Sequence, residues 1–190
     1  MMRIISGTAR GRKLAEFSGS GTRPTSDRAR EALFSLLISR LQTLSGLKVL
    51  DLYAGSGALS LEALSRQAKS ALMIDSSRSA IKLIHENIER CSFADRSRVL
   101  QQEVSAALPG LKAQAPFDLI FLDPPYNQSL VQPVINEIYR LNLLDENGII
   151  CAETERGTTL QSAGTLSCTT SRHYGRTTLH LMQHTASNKD

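Results

Sequence analysis

Long apolar runs are missing from this chain. Its purely apolar stretches are only a few residues long, whereas a bilayer-spanning helix needs about 20. The amino terminus also lacks the charge, extended apolar stretch and cleavage site of a secretory signal. Cysteine is scarce. Cys91, Cys151 and Cys168 are odd in number and widely separated, which argues against a disulfide framework and against a cysteine zinc site. A reducing cytoplasm is the expected setting. Internal repeats and long linkers are absent too, so 190 residues, 41% of them hydrophobic, point to one globular domain with a small appendage. Histidine offers no metal site. His180 and His184 stand four apart, but their segment reads as strand and tail and no third ligand accompanies them; His85 and His173 read as surface or packing positions.

Acidic residues are few at the start of the chain, and this shapes the charge. The net charge is +4. Residues 1–40 hold Arg3, Arg10, Arg12, Lys13, Arg23, Arg28, Arg30 and Arg40 against Glu16, Asp27 and Glu31, a local balance of +5, so the remainder sums to −1. The basic excess is confined to an amino-terminal segment, as expected where an extension grips a polyanion. Arginine outnumbers lysine there by seven to one, which favours forked phosphate contacts and base stacking.

Two motifs carry chemistry. Asp123-Pro124-Pro125-Tyr126 follows the apolar run Phe117 to Leu122. Prolines lack an N–H and fix φ, so they end a strand's ladder and leave backbone carbonyls as acceptors. With the Asp123 carboxylate, those carbonyls can take both hydrogens of a planar amine while Tyr126 offers a face for a heterocycle. Upstream, Val49-Leu50-Asp51-Leu52-Tyr53-Ala54-Gly55-Ser56-Gly57 is a strand running into a glycine turn and a helix. The dinucleotide pattern G-x-G-x-x-G fails, because Ser60 holds the third glycine position. Asp51 would repel a pyrophosphate but suits a ligand with an ammonium and a sulfonium. Asp75 ends the next apolar run, 24 residues after Asp51, where an acid can accept from both ribose hydroxyls.

Around these motifs the chain reads as an extension followed by alternating strands and helices. Met2 to Ser6 and Arg12 to Leu14 pair as a hairpin, Ser18 to Gly21 is a flexible loop, and Thr22 to Ser26 supply caps for a helix over 27–43. That helix buries Ala29, Leu33, Leu36, Leu37, Leu41 and Leu44, leaving Arg28, Arg30 and Arg40 for solvent or RNA. Strands are expected near 48–52, 70–75, 98–103, 117–122 and 148–153, with helices near 57–67, 78–91 and 129–141. Ile81, Ile84, Ile88 and Cys91 form one buried stripe, and Asn147-Gly148 marks the turn into the fifth strand. Leu166 to Met182 reads as two strands around Tyr174-Gly175. Unbroken apolar strands suit a parallel sheet covered on both faces, so the fold class is α/β, doubly wound and mostly parallel with seven strands. In such sheets ligands bind beyond the strands' carboxyl ends, where Asp51, Asp75 and Asp123 all fall. The domains are a basic hairpin-plus-helix extension over 1–45, the main domain over 46–184 and a frayed tail over 185–190.

Asp51-x-x-x-Gly55-x-Gly57, Asp75 and Asp123-Pro-Pro-Tyr126 in this order resemble the Rossmann-like class I S-adenosylmethionine-dependent methyltransferases that modify amines. Met2 to Gly7, Arg10-Gly11-Arg12-Lys13-Leu14, Arg23 to Glu31 and Tyr174-Gly175 add a more specific likeness, along nearly the whole chain, to the RsmD family, bacterial enzymes that methylate a guanine N2 in 16S ribosomal RNA. The resemblance implies S-adenosylmethionine as cofactor, bound by Asp51, Tyr53, Ala54, Gly55, Ser56, Gly57, Asp75, Ser76, Glu103 and Val104. Where relatives place Asp after the third strand, this chain has Glu103, one carbon longer. The resemblance further implies catalysis by Asp123, Pro124, Pro125 and Tyr126, and RNA contacts from Arg10, Arg12, Lys13, Arg23, Thr25, Arg28 and Tyr174. The partner is 16S rRNA within a partly assembled small ribosomal subunit; no metal or membrane is involved and a monomer is expected. Alternatives are a methyltransferase acting on DNA adenine N6 or protein glutamine N5, which usually carries Asn before Pro-Pro-Tyr, a nicotinamide oxidoreductase, which wants the missing glycine, and a non-catalytic RNA-binding module.

Overall fold

The structure, a computed structural model, describes residues 2–17, 27–124 and 130–185. The expected loop and caps over 18–26, with Arg23 and Thr25, lie outside the described residues, as do Pro125, Tyr126 and the tail beyond 185. The chain divides into two compact units, Met1–Gln101 and Gln102–Asp190. Its seven strands make a mostly parallel sheet.

The first unit holds β1 (Lys48–Leu52), β2 (Ser70–Asp75) and β3 (Ser97–Gln101). Their order is β3-β2-β1 and both pairings are parallel. Val49, Leu50, Leu52 and Ala71 to Ile74 are all buried, consistent with strands covered on both faces. Helices α1 (Asp27–Leu41), α2 (Ala58–Ser65) and α3 (Arg78–Cys91) accompany them. The α3 stripe forms at Ala80, Leu83, Ile84, Asn87, Ile88 and Cys91, with Ile81 only half-buried.

Residues 2–14 form the expected hairpin, closed by an antiparallel bridge between Arg3 and Lys13. Ile4 N–H donates to Arg12 O and Leu14 N–H to Met2 O, at 2.9 Å each. Ile4 and Leu14 are buried, each contributing roughly 1.5–3 kcal/mol of apolar burial. The hairpin is seated on α2. Glu62, itself fully buried, accepts Ile5 N–H at 2.7 Å and Ser6 N–H at 3.0 Å, and Ser65 Oγ accepts Ala9 N–H at 2.9 Å while donating to Ser6 O at 2.6 Å. Gly7 allows this approach, since a Cβ there would lie 1.9 Å from Ser65 O and its φ is +85°.

Helix α1 buries Arg30, Leu33, Phe34 and Leu37. Arg30 was expected at the surface or on RNA; instead it is 1% exposed, and its Nη2 donates to Arg3 O at 2.7 Å and Asp27 Oδ1 at 2.6 Å. The reason is periodicity: position 30 precedes 33, 34 and 37 by three, four and seven residues, so it shares their face. The Arg66 guanidinium covers the Phe34 ring at 4.9 Å, joining α2 to this face.

The second unit holds α4 (Val104–Ala107), β4 (Phe117–Leu122), α5 (Val131–Arg140), β5 (Leu144–Glu155), β6 (Leu166–Tyr174) and β7 (Thr177–His184). Its strand order is β4-β5-β7-β6; β4 and β5 are parallel, and the terminal hairpin is antiparallel. Asn147-Gly148 does not open β5 but lies inside it. The register jumps from Phe117 opposite Leu144 to Leu119 opposite Ile149, and Asn147 N–H turns onto Asp145 Oδ1 at 3.0 Å. The Asn-Gly pair therefore makes a bulge, where a Cβ on Gly148 would sit 2.8 Å from Leu144 Cδ1. A 3₁₀ stretch over Leu108–Ala113 follows α4 and has no clear sequence period, because Pro109-Gly110 interrupts it.

Candidate active site

The glycine turn after β1 carries three positive φ values in five residues: Tyr53 at +67°, Gly55 at +57° and Gly57 at +75°. Only the glycines adopt such angles without cost, so Tyr53 stores strain of order 1 kcal/mol that the surroundings must hold. They hold it from β2 and from inside the turn. Ala54 N–H donates to Ile74 O at 2.9 Å, Gly57 N–H to Ala54 O at 2.7 Å, and Gly55 N–H to Asp75 Oδ2 at 2.9 Å. A Cβ on Gly57 would approach Met73 Sδ to 3.1 Å, whereas one on Gly55 would meet nothing within 4 Å. Gly55 thus fronts open space with backbone ahead of a helix start, and the following helix α2 has no side-chain cap.

Asp75 ties the two sequence signals together. Its Oδ2 takes Gly55 N–H and its Oδ1 takes Ser77 N–H at 2.9 Å. Each carboxylate oxygen has a further lone pair, and Asp75 remains half-buried. Ser77 caps α3 by accepting Ala80 N–H, and Ser76 between them is exposed.

Asp51 is nearly inaccessible, 2% exposed. Burial pushes its carboxyl from 3.8 up to about 7; the Ser60 hydroxyl and backbone hydrogen bonds oppose the rise and the Asp75 charge adds to it. Ser60 Oγ lies 2.8 Å from Asp51 Oδ2. So the residue whose presence breaks the dinucleotide pattern has its own task, holding the acid beneath the turn. Sequence reasoning missed it, although a hydroxyl at a glycine position was the signal.

Asn87 was missed as well. Fully buried on α3, it donates through Nδ2 to Ser56 O at 3.0 Å. A polar residue inside the stripe of Ile84, Ile88 and Cys91 was its trace in the sequence.

The first unit therefore brings Asp51, Tyr53, Ala54, Gly55, Ser56, Gly57 and Asp75 into one constellation with Ser60 and Asn87. In the second unit, Asp123 and Pro124 directly follow β4 and are half-buried. Glu103 is exposed at the start of α4, and the Val104 side chain is buried. Among the described basic residues, Arg10, Arg12, Lys13 and Arg28 are exposed. Arg12 Nη1 also donates to Arg90 O at 2.7 Å, near the carboxyl end of α3 where a cation is favoured. Tyr174 is half-buried at the β6–β7 turn.

His180 and His184 have ordinary partners. His180 sits in β7 between Thr154 Oγ1 at 3.0 Å and Ser171 Oγ at 2.9 Å, with burial holding its pKa below the usual value. His184 pairs with Thr165 Oγ1 at 2.7 Å. Among the described residues no cluster has the makings of a metal site, and no helix is long and apolar enough to cross a membrane.

A family model described as "Conserved hypothetical protein 95" matches residues 2–183. A Haemophilus influenzae protein named ribosomal RNA small subunit methyltransferase D is 36% identical over 82% of this chain and 79% of its own length. A Bacillus subtilis protein described as a candidate rRNA methyltransferase is 34% identical over 93% of this chain and 95% of its own. An Escherichia coli structure described as a candidate methyltransferase superposes with a TM-score of 0.82 at 33% identity, covering 97% of this chain and 98% of that one.

Proposed function

We propose, from the premise that this chain belongs to the conserved hypothetical protein 95 family, the RsmD family, that it is an S-adenosylmethionine-dependent rRNA methyltransferase whose acceptor is the N2 amine of one guanine in 16S rRNA. The observation that carries the reading is the closed constellation of Asp51, Gly55, Ser56, Gly57 and Asp75. It presents an open glycine surface with the half-buried Asp75 beside it and the buried Asp51 beneath it, which fits a ligand bearing positive charge and a ribose. The bound cofactor supplies an electrophilic methyl group on a sulfonium.

The protein's part is orientation. Guanine N2 shares its lone pair with the ring and is a poor nucleophile. The Asp123 carboxylate and Pro124 carbonyl accept its two hydrogens, drawing the nitrogen toward a tetrahedral shape and aiming its lone pair at the methyl. Asp123 or water takes the proton afterwards. Tyr126 stacks on the base once it has left its own stack, and Pro125 keeps the preceding carbonyl out of a strand ladder. On the donor side the Asp51 charge would favour the ammonium from beneath the turn, Asp75 and Ser76 would hold the ribose, and Glu103 with the Val104 backbone would hold the adenine. Arg10, Arg12, Lys13, Arg23, Thr25, Arg28 and Tyr174 grip the RNA, which is presented within the small subunit to a monomeric enzyme in the cytoplasm.

Asp123→Ala is the test. It should abolish methyl incorporation into small subunits while leaving S-adenosylmethionine affinity within a few-fold. Normal turnover by this variant refutes the assignment, and a wild-type protein that binds a nicotinamide cofactor in its place refutes the class.

A further inference from the structure

The Asn87 side chain joins two segments that are far apart in sequence. Its Oδ1 accepts Ala15 N–H at 2.6 Å, and its Nδ2 donates to Ala15 O at 3.2 Å and to Ser56 O at 3.0 Å. A carboxamide has two donor hydrogens. Here one goes to the amino-terminal arm and the other to the glycine turn, and the group is fully buried. Ala15 lies just past the hairpin that carries Arg10, Arg12 and Lys13 and just before the segment of Arg23, Thr25 and Arg28. Ser56 lies between Gly55 and Gly57, both at positive φ. The hairpin's other anchors are Glu62 and Ser65 of α2, which accept its N–H groups, and the Arg12 bond to Arg90 O on α3, and none of these bonds reaches the turn. Asn87 is thus the group whose amide spans arm and turn.

We infer that Asn87 is a positioning residue that couples the RNA-facing arm to the donor-binding turn, so that filling the turn tightens the arm at Ala15. The coupling rests on the reading of the turn as the S-adenosylmethionine site. Tyr53 alone carries strain in this turn, and Gly55 and Gly57 beside Ser56 leave the backbone able to take more than one arrangement. A ligand that settles the Ser56 carbonyl in one of them strengthens the Asn87 bond, and Asn87 cannot move without moving both bonds to Ala15. By linkage the effect is reciprocal: whatever fixes the arm improves the turn's affinity by the same factor.

The test uses the full-length protein with Asn87→Asp, which keeps an acceptor for Ala15 N–H but has none of the donors that Ser56 O and Ala15 O require. S-adenosylmethionine affinity is measured by calorimetry, and exchange of the Ala15 amide is followed with and without the cofactor. In the wild type, cofactor should slow exchange at Ala15. In the variant that slowing should vanish and affinity should fall about tenfold. If Asn87→Asp does not fold, Asn87→Ser, a short side chain with a single donor, is read in the same way. A merely structural role would lower melting temperature yet preserve cofactor-dependent protection at Ala15. That outcome overturns the inference, as does a wild type whose Ala15 exchange ignores the cofactor. A wild type that binds no S-adenosylmethionine instead overturns the reading of the site, and the inference with it.

Discussion

Ser60 donates its hydroxyl to Asp51 across 2.8 Å in a part of the core that water scarcely reaches. Burial has lifted the Asp51 carboxyl to about 7, with the Ser60 bonds working against the rise. A cationic ligand prefers the ionised acid. S-adenosylmethionine affinity should therefore climb by up to about tenfold per pH unit below pH 7 and flatten above it. Ser60→Ala removes the larger opposing effect and should move the midpoint upward. Calorimetric titrations across this range check both, and an affinity independent of pH contradicts the assignment of Asp51.

The same group sets the sign of a stability effect. Its folded pKa lies above the unfolded value, so the folded state holds an extra proton between 3.8 and about 7. Stability of the cofactor-free protein should accordingly decline as pH rises through that window. Asp51→Asn should flatten this part of the curve, measured by urea unfolding at several pH values.

Gly7 and Gly11 share positive φ, +85° and +82°, but not surroundings. Gly11→Ala meets open space and should cost about 1 kcal/mol from backbone strain alone. Gly7→Ala drives a methyl into the Ser65 carbonyl and should cost at least about 3 kcal/mol or displace the hairpin from α2. Chemical denaturation of the two variants gives the comparison.

Glu62 holds two backbone N–H groups of the hairpin and the Arg66 Nε at 2.8 Å from a fully buried position. Glu62→Ala leaves all three without their acceptor. It should cost about 3–5 kcal/mol and release the Ile5 and Ser6 amides to exchange, whereas Glu62→Gln retains an acceptor and should lose less.

Much of this was legible in the sequence, for reasons particular residues explain. Apolar runs at 48–52, 70–75 and 117–122 became β1, β2 and β4 because strands buried on both faces write an unmistakable pattern. The glycine turn and Asp75 were readable because special φ values demand special residues. Partners were not. Ser60, Glu62 and Asn87 act through hydrogen bonds to groups brought near only by folding, and the hairpin's dependence on α2 spans more than 50 positions. Arg30 misled because charge was weighed above its place on the Leu33 and Leu37 face. Asn147-Gly148 misled because the dipeptide serves a bulge as readily as a turn.

The most direct measurement is transfer of labelled methyl from S-adenosylmethionine to small ribosomal subunits from cells lacking this activity, followed by mapping of the labelled atom. The account predicts label on N2 of a single guanine of the small-subunit rRNA, absent with Asp123→Ala. Label on DNA or protein, on another base atom, or on nothing at all would contradict it.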